Sequence, residues 1–308
     1  MTPPAVDPDD IDAAAERIGP YVRRTPIVEH DDLVLKLELL QHAGSFKTRG
    51  AFNRVLGERA TIPDAGLIAA SGGNHGAALA FVGQQLGMPV EIFIPSTSPE
   101  IKRRNIARFG AALHDIEGYY DDAQAAADDR QVATGATQIH PYDHPATVAG
   151  QGTMARELEQ QTGPIDTMVV ATGGGGFIAG QAAWFRDRVH IVSVEPETSQ
   201  CLRAARLAGE PVDVSVSGVA ADSLGARRIG GVPWTIVREF VDEAVVVADD
   251  DIRAAQYELW EEFRLVAEPG GAAALAALRS GAYRPAAGER VVVVVCGSNC
   301  DPATVIRP

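Results

Sequence analysis

At 308 residues, 46% of them hydrophobic and 22% charged, the chain has the composition of a globular α/β protein. It exceeds the ~250–300 residues at which a single core usually stops growing, so two lobes are the first expectation. A formal charge of −14 disfavours nucleic acid and anionic membranes as partners, since both call for a basic face.

Three cysteines (Cys201, Cys296, Cys300) form no CxxC pair, and the acidic, proline-bearing N-terminus is unlike a signal or transit peptide. A reduced, cytoplasmic setting is the expectation. No uninterrupted apolar run reaches the ~20 residues a membrane helix needs.

In chain order, Asp10 to Ile18 reads as a short helix capped by Asp, ended with the help of Pro20. The alternating run Leu33 to Leu39 reads as a strand, or a pair of strands, carrying Glu38. GSFKTRGA follows, and apolar spacing from Thr48 predicts a helix whose N-terminus lies at Ser45 to Thr48.

From Gly66 strands and helices alternate: LIAA, a helix over Asn74 to Leu86, VEIFIP, a helix over Pro99 to Phe109, AALHDI, a helix over Tyr119 to Thr134, and TQIHP. After His144 a second series runs helix Thr147 to Gln161, strand Thr167 to Ala171, a helix to Arg186, strand VHIVSVEP and helix Ser199 to Ala208. A glycine- and charge-rich loop, SVSGVAADSLGARRIG, leads to strand Val241 to Ala248, a helix capped by Asp249, the helix of EPGGAAALAALRSG, and VVVVVCGSNCD. Five consecutive valines predict a strand buried on both faces. The alternation predicts an α/β fold of two lobes, each an open, twisted, mostly parallel sheet flanked by helices. The expected division is 1–60 with 145–308 as the large domain and 61–144 as the small one.

Ligands of open α/β sheets collect beyond the carboxyl ends of the strands, and four turns sit there: GSFK, SGGNHG, TGGGG and CGSN. Lys47 is one of three lysines against twenty-four arginines. An amine can lose its proton and attack a carbonyl, whereas a guanidinium cannot, so Lys47 is a candidate covalent anchor. Read alone, it serves also as a surface lysine at a helix start. Gly173 to Gly176 let backbone N–H groups approach an anion at a helix N-terminus, or simply make a tight turn. The run is neither GxGxxG nor a Walker loop, which disfavours nucleotides. In SGGNHG the backbone and Ser71 suit a carboxylate, and Asn74 either donates to a phenolic oxygen or caps its helix. Cys296 either hydrogen-bonds a ring nitrogen or is a small buried hydrophobe.

GSFKTRGA, SGGNHGAALA, HPYDHPATVAGQGT, TGGGGFIAG, VEP, EPGGAAALAAL and VVCGSN together resemble, over about Thr25 to Asn299, the pyridoxal-phosphate enzymes of the tryptophan-synthase-β fold (fold type II). Within them the chain is most similar to the threonine/serine dehydratase and serine racemase family. The resemblance implies that Lys47 forms the Schiff base with pyridoxal 5'-phosphate and Phe46 packs on its ring. It implies that Asn74 binds the ring 3′-oxygen, Gly173, Gly174, Gly175 and Gly176 hold the phosphate, and Cys296 lies beside the pyridine nitrogen. Ser71, Gly72 and His75 belong to the implied substrate-carboxylate loop. Glu268 matches a carboxylate near the cofactor, and Tyr142 stands where family members carry Asn or Phe. Glu195 matches a cation ligand, monovalent or divalent, although Cys201 replaces an expected Asp.

Racemases of this family carry a second Ser where this chain has Gly72, so dehydration of L-threonine or L-serine is expected ahead of racemisation. Lyase action on 3-hydroxyaspartate or phenylserine, and an inactive amino-acid-binding homologue, are the alternatives. A small amino-acid substrate and a homodimer complete the implied picture.

Overall fold

The computed structural model describes residues 5–30, 33–96 and 98–306. Helix α1 (Pro8–Ile18) starts earlier than its sequence suggests, because Asp7 caps it reciprocally with Asp10 and Pro8 occupies the first turn. Strands β1 (Ile27–His30) and β2 (Leu33–Lys36) follow, then α2 (Lys47–Gly57), β3 (Leu67–Ala70), α3 (Asn74–Leu86), β4 (Val90–Pro95), α4 (Glu100–Ala107), β5 (Ala112–Ile116), α5 (Tyr120–Thr134) and β6 (Thr137–Gln138). The second series is α6 (Pro145–Thr162), β7 (Thr167–Ala171), α7 (Gly176–Phe185), β8 (His190–Pro196), α8 (Cys201–Ala208), α9 (Ala221–Leu224), α10 (Gly231–Phe240), β9 (Glu243–Val247), α11 (Asp249–Phe263), α12 (Pro269–Arg279) and β10 (Val291–Val294).

The strands form two sheets, ordered β1-β2-β10-β7-β8-β9 and β5-β4-β3-β6. Among the described strands only the β1–β2 pair is antiparallel; every other strand pairing is parallel. The valine run occupies the third position of the larger sheet, between β2 and β7. Four of the five valines form β10, and all five are buried, as a strand covered on both faces must be.

Three expectations change. Glu38 is not on a strand: β2 ends at Lys36, and Glu38–Leu40 is a single 3-10 turn. The loop SVSGVAADSLGARRIG contains the short helix α9, and Asp249 is the first residue of α11, whose cap position falls to Ala248. The segment 231–240, to which the sequence assigns no element, is helix α10, with Ile236 and Val237 turned into the core.

Helix α2, which begins at Lys47, is fixed by close backbone approach. A Cβ on Gly50 would lie 2.8 Å from the Thr147 carbonyl oxygen, and one on Gly150 would lie 2.7 Å from that of Arg49. Glycine at both positions lets α2 and α6 cross nearly in contact. Behind them lies a buried ionic cluster. Arg49 donates to both oxygens of Glu38, at 2.9 and 2.7 Å, and to Glu157 at 2.9 Å. Lys36 donates to Glu157, to Gln161 and to the Thr25 carbonyl. Two cations thus face two anions, with Lys36, Glu38 and Arg49 almost wholly out of solvent.

Candidate active site

Beyond the carboxyl ends of β7 and β10 the structure opens a cleft. It is lined by Phe46, Lys47, Asn74, Tyr142, the glycines 173–176, Glu268 and Cys296. The GSFK, SGGN, TGGGG and CGSN turns, separated by up to 250 residues in sequence, therefore meet in one place.

Lys47 is the first residue of α2 and is half-buried. Its amine donates to the Pro141 carbonyl at 3.0 Å and lies 5.1 and 5.9 Å from the ring centres of Phe46 and Tyr142. Burial among apolar atoms lowers its pKa to about 8, against the weaker pull of Cys296 and Glu268. The neutral amine, which a nucleophile requires, is therefore well populated near physiological pH. The expected consequence is that apoprotein captures pyridoxal phosphate faster as pH rises to about 8 and at a constant rate above it. Stopped-flow absorbance checks this, and a rate still climbing towards the free-lysine value of 10.5 would contradict it.

The glycine run is shaped by its neighbours. Cβ atoms on Gly174 and Gly176 would sit 2.4 and 2.7 Å from Tyr142 atoms, and Gly175 has a left-handed φ of 87°. The bare backbone ends at the start of α7, where the first N–H groups have no partner inside the helix. Such a backbone suits an anion. Phe46 stacks on Phe177 at 3.9 Å between ring centres and walls one side.

Asn74 opens α3, while Gly73 rather than Asn74 holds the N-cap position. Its amide nitrogen donates to Glu268 Oε1 at 2.5 Å. Burial raises the Glu268 pKa to about 7, although the Asn74 hydrogen bond opposes the shift. Cys296 donates to the Gly270 carbonyl at 3.4 Å, and burial pushes its thiol well up, so it stays protonated. A neutral thiol can offer one hydrogen bond to a ring nitrogen but will not protonate it.

Ser71, Gly72, His75 and Glu195 are not among the cleft-lining side chains. The Ser71 oxygen is turned into its own loop, accepting from the N–H groups of Gly73 and Gly76. His75 is bonded through Nε2 to the Ile139 carbonyl at 2.7 Å, and burial lowers its pKa to about 3, so it is neutral and donates there. Gly72 lies near Ser98 and Ile94. Glu195 uses both oxygens on α8, accepting from the N–H groups of Leu202 and Arg203 at 2.8 Å each. Among the described residues no group of three or more His, Cys, Asp or Glu could hold a metal ion.

Thr172, Ser223, Leu224 and Gly270 also line the cleft. Thr172 and Gly270 adjoin motifs already legible, TGGGG and EPGG. Ser223 and Leu224 lie in a segment without periodicity; Gly270 N–H donates to the Ser223 oxygen at 3.1 Å, and a Cβ on Gly173 would lie 3.2 Å from Leu224.

Residues 18–297 match the family model of pyridoxal-phosphate dependent enzymes. The chain belongs to that family, and its cofactor is pyridoxal phosphate. It is 36% identical over 274 residues to L-threonine dehydratase biosynthetic IlvA of Haemophilus influenzae, covering 88% of this chain and 53% of the relative. It thus spans about half the length of that dehydratase. To beta-hydroxyaspartate dehydratase of Paracoccus denitrificans it is 32% identical, covering 95% of this chain and 96% of the relative. The structure of maize serine racemase superimposes with a TM-score of 0.91 at 32% identity, covering 97% of this chain and 95% of that one.

Proposed function

We propose that this chain is a β-eliminating ammonia-lyase that converts L-threonine or L-serine into a 2-oxo acid and ammonia. The observation that carries the reading is a single amine among the cleft-lining residues, Lys47; the resemblance adds that racemases of the family carry a second Ser at the position of Gly72. Bound pyridoxal phosphate supplies an electron sink that acidifies the substrate Cα–H bond. The residues that would hold it are Lys47, the N–H groups of the glycine cradle, Asn74 and Cys296. Lys47, neutral in part because of its burial, takes the Cα proton. The N–H groups of Asn74 and His75, in the first turn of α3, receive the substrate carboxylate, while Ser71 already takes that of Gly76. Loss of the proton and the β-hydroxyl leaves an enamine; its hydrolysis takes up the water again and frees ammonia.

A second reading keeps the chemistry and changes the substrate to 3-hydroxyaspartate. The full-length match to beta-hydroxyaspartate dehydratase favours it, as do two cations between the lobes, Lys102 beside Asp222 and Arg227 beside Asp121. Both cations already have acidic partners, which is why we rank it second. Specificity constants measured by 2-oxo acid release over threonine, serine, 3-hydroxyaspartate and phenylserine separate the readings. Threonine or serine should lead; a clear lead for 3-hydroxyaspartate would reject the first version.

Gly72 offers its own test. A Cβ there would stand 3.0 Å from the Ser98 hydroxyl, which can rotate away, so Gly72→Ser is sterically admissible. The variant should form D-serine from L-serine roughly a hundredfold faster than the parent, the low end of what a placed proton donor contributes. Chiral chromatography reads the outcome, and an unchanged rate would show that Gly72 does not hold racemisation down.

A further inference from the structure

We propose that Asn299 is a positioning residue of this site: its carboxamide determines which end of the Asn74 carboxamide faces the cofactor ring oxygen. The inference rests on the reading above that Asn74 serves that oxygen.

The argument starts from an atom whose role is fixed. The Ala43 carbonyl can only accept, so the Asn299 atom 2.8 Å away is its nitrogen. That nitrogen's second hydrogen is directed at Asn74 Oδ1, at 2.7 Å. With its oxygen held on that side, Asn74 presents its nitrogen to Glu268 Oε1 and, through the remaining N–H, to the cleft. Glu268 could not impose this orientation alone. A carboxyl that titrates near neutrality is an acceptor in one state and a donor in the other, whereas a backbone carbonyl never changes role.

The backbone around Asn299 is shaped to hold it. Ala43 and Gly44 both adopt left-handed conformations, φ 57° and 76°. A Cβ on Gly44 would lie 2.6 Å from Asn299 Oδ1, so the glycine of GSFK is what admits the Asn299 side chain. The two turns are joined on either side of it, by a bridge between Ser45 and Gly297 and by Ser298 N–H donating to the Gly44 carbonyl at 2.9 Å. Asn299 Oδ1 is itself met by Asn105 of α4 at 3.3 Å. The anchor lysine's turn and the ring-oxygen donor are thereby set by one side chain.

The test is Asn299→Asp, which keeps the shape and replaces the donor by an acceptor. Asn74 must then turn its nitrogen towards residue 299 and its oxygen towards the ring oxygen. The visible spectrum of the cofactor-loaded protein should lose intensity in the long-wavelength band, which belongs to the ionised ring oxygen, and gain it at shorter wavelength. The dissociation constant for pyridoxal phosphate should rise roughly tenfold or more, the usual effect of losing one hydrogen bond and leaving its partner unsatisfied. Asn74→Ala should move the band the same way, and the double variant should bind no more weakly than Asn74→Ala alone, because the two residues act in series.

A band that moves in Asn74→Ala but not in Asn299→Asp overturns the proposal, as do additive losses in the double variant. A band unmoved in Asn74→Ala overturns both the proposal and the assignment of Asn74. Asn299→Ala, read in the same way, serves if the aspartate variant does not fold. Neither readout requires turnover, so failure of the β-elimination reading would show separately.

Discussion

Replacing Lys47 by Ala is expected to abolish turnover, by at least about ten-thousandfold, because it removes the covalent anchor and the base together. Lys47→Arg should be as inactive, since a guanidinium keeps the charge but neither forms the imine nor gives up its proton. The fold should persist in both. The Lys47 amine donates to the Pro141 carbonyl, and burial works against its charged form. Its folded pKa, about 8, lies below the ordinary 10.5, so the ammonium opposes folding most below pH 8 and that penalty fades between the two values. Apoprotein of Lys47→Ala should therefore melt no lower than the parent at neutral pH, with any advantage shrinking as pH rises through that window. Release of 2-oxo acid by the folded variant would remove Lys47 from the mechanism.

The second large effect is on stability and lies behind the site. Arg49→Leu should destabilise the apoprotein by about 3–5 kcal/mol, the usual result of breaking a buried ion pair by removing one partner. Burial alone would raise the Glu38 carboxyl. The charge and hydrogen bonds of Arg49 outweigh it and hold the group below its ordinary 4.5. In the parent, that contribution is present above the ordinary carboxylate range and is lost as pH falls through the folded value. Without Arg49 the sign reverses: Glu38 is left buried and charged at neutral pH, so the variant's deficit should narrow as pH drops towards 4.5, where the carboxyl takes up a proton. Denaturant melts at several pH values check both points. Replacing Glu38 and Arg49 together by apolar residues should recover much of the loss. A deficit below about 1 kcal/mol for Arg49→Leu would place the cluster with ordinary surface pairs.

That cluster also marks where sequence reading stopped. In LVLKLELL, alternation puts Lys36 and Glu38 on a polar face, which ordinarily means solvent. Here the face is covered by α2 and α6, and the partners are Arg49, 11 positions from Glu38, and Glu157, 121 positions from Lys36. No local pattern reports charges that far apart. Helix α10 was hidden for a different reason. It opens at Gly230-Gly231 with Pro233 shortly after, which reads as a turn, and only the packing of Ile236 and Val237 against the core shows otherwise. By contrast, strands such as β3, β4 and β7 and the helix Asn74–Leu86 were legible to the residue, because their apolar runs are bounded by glycine or proline.

The site divides the same way. Chain position places Lys47, Asn74, Gly173–Gly176 and Cys296 at strand ends, and the cleft gathers them all. Side-chain direction is not encoded in a turn motif: nothing in SGGNHG says that Ser71 faces its own loop or that His75 bonds to Ile139. Nor does CGSNC disclose that Asn299 reaches Asn74 across 225 positions of sequence.

The central claim is elimination in preference to racemisation, and one measurement addresses it most directly. The pyridoxal-phosphate-loaded protein is given L-serine, and 2-oxo acid and D-serine are quantified in the same time course. The account predicts 2-oxo acid with matching ammonia and little D-serine. D-serine accumulating ahead of 2-oxo acid would contradict it.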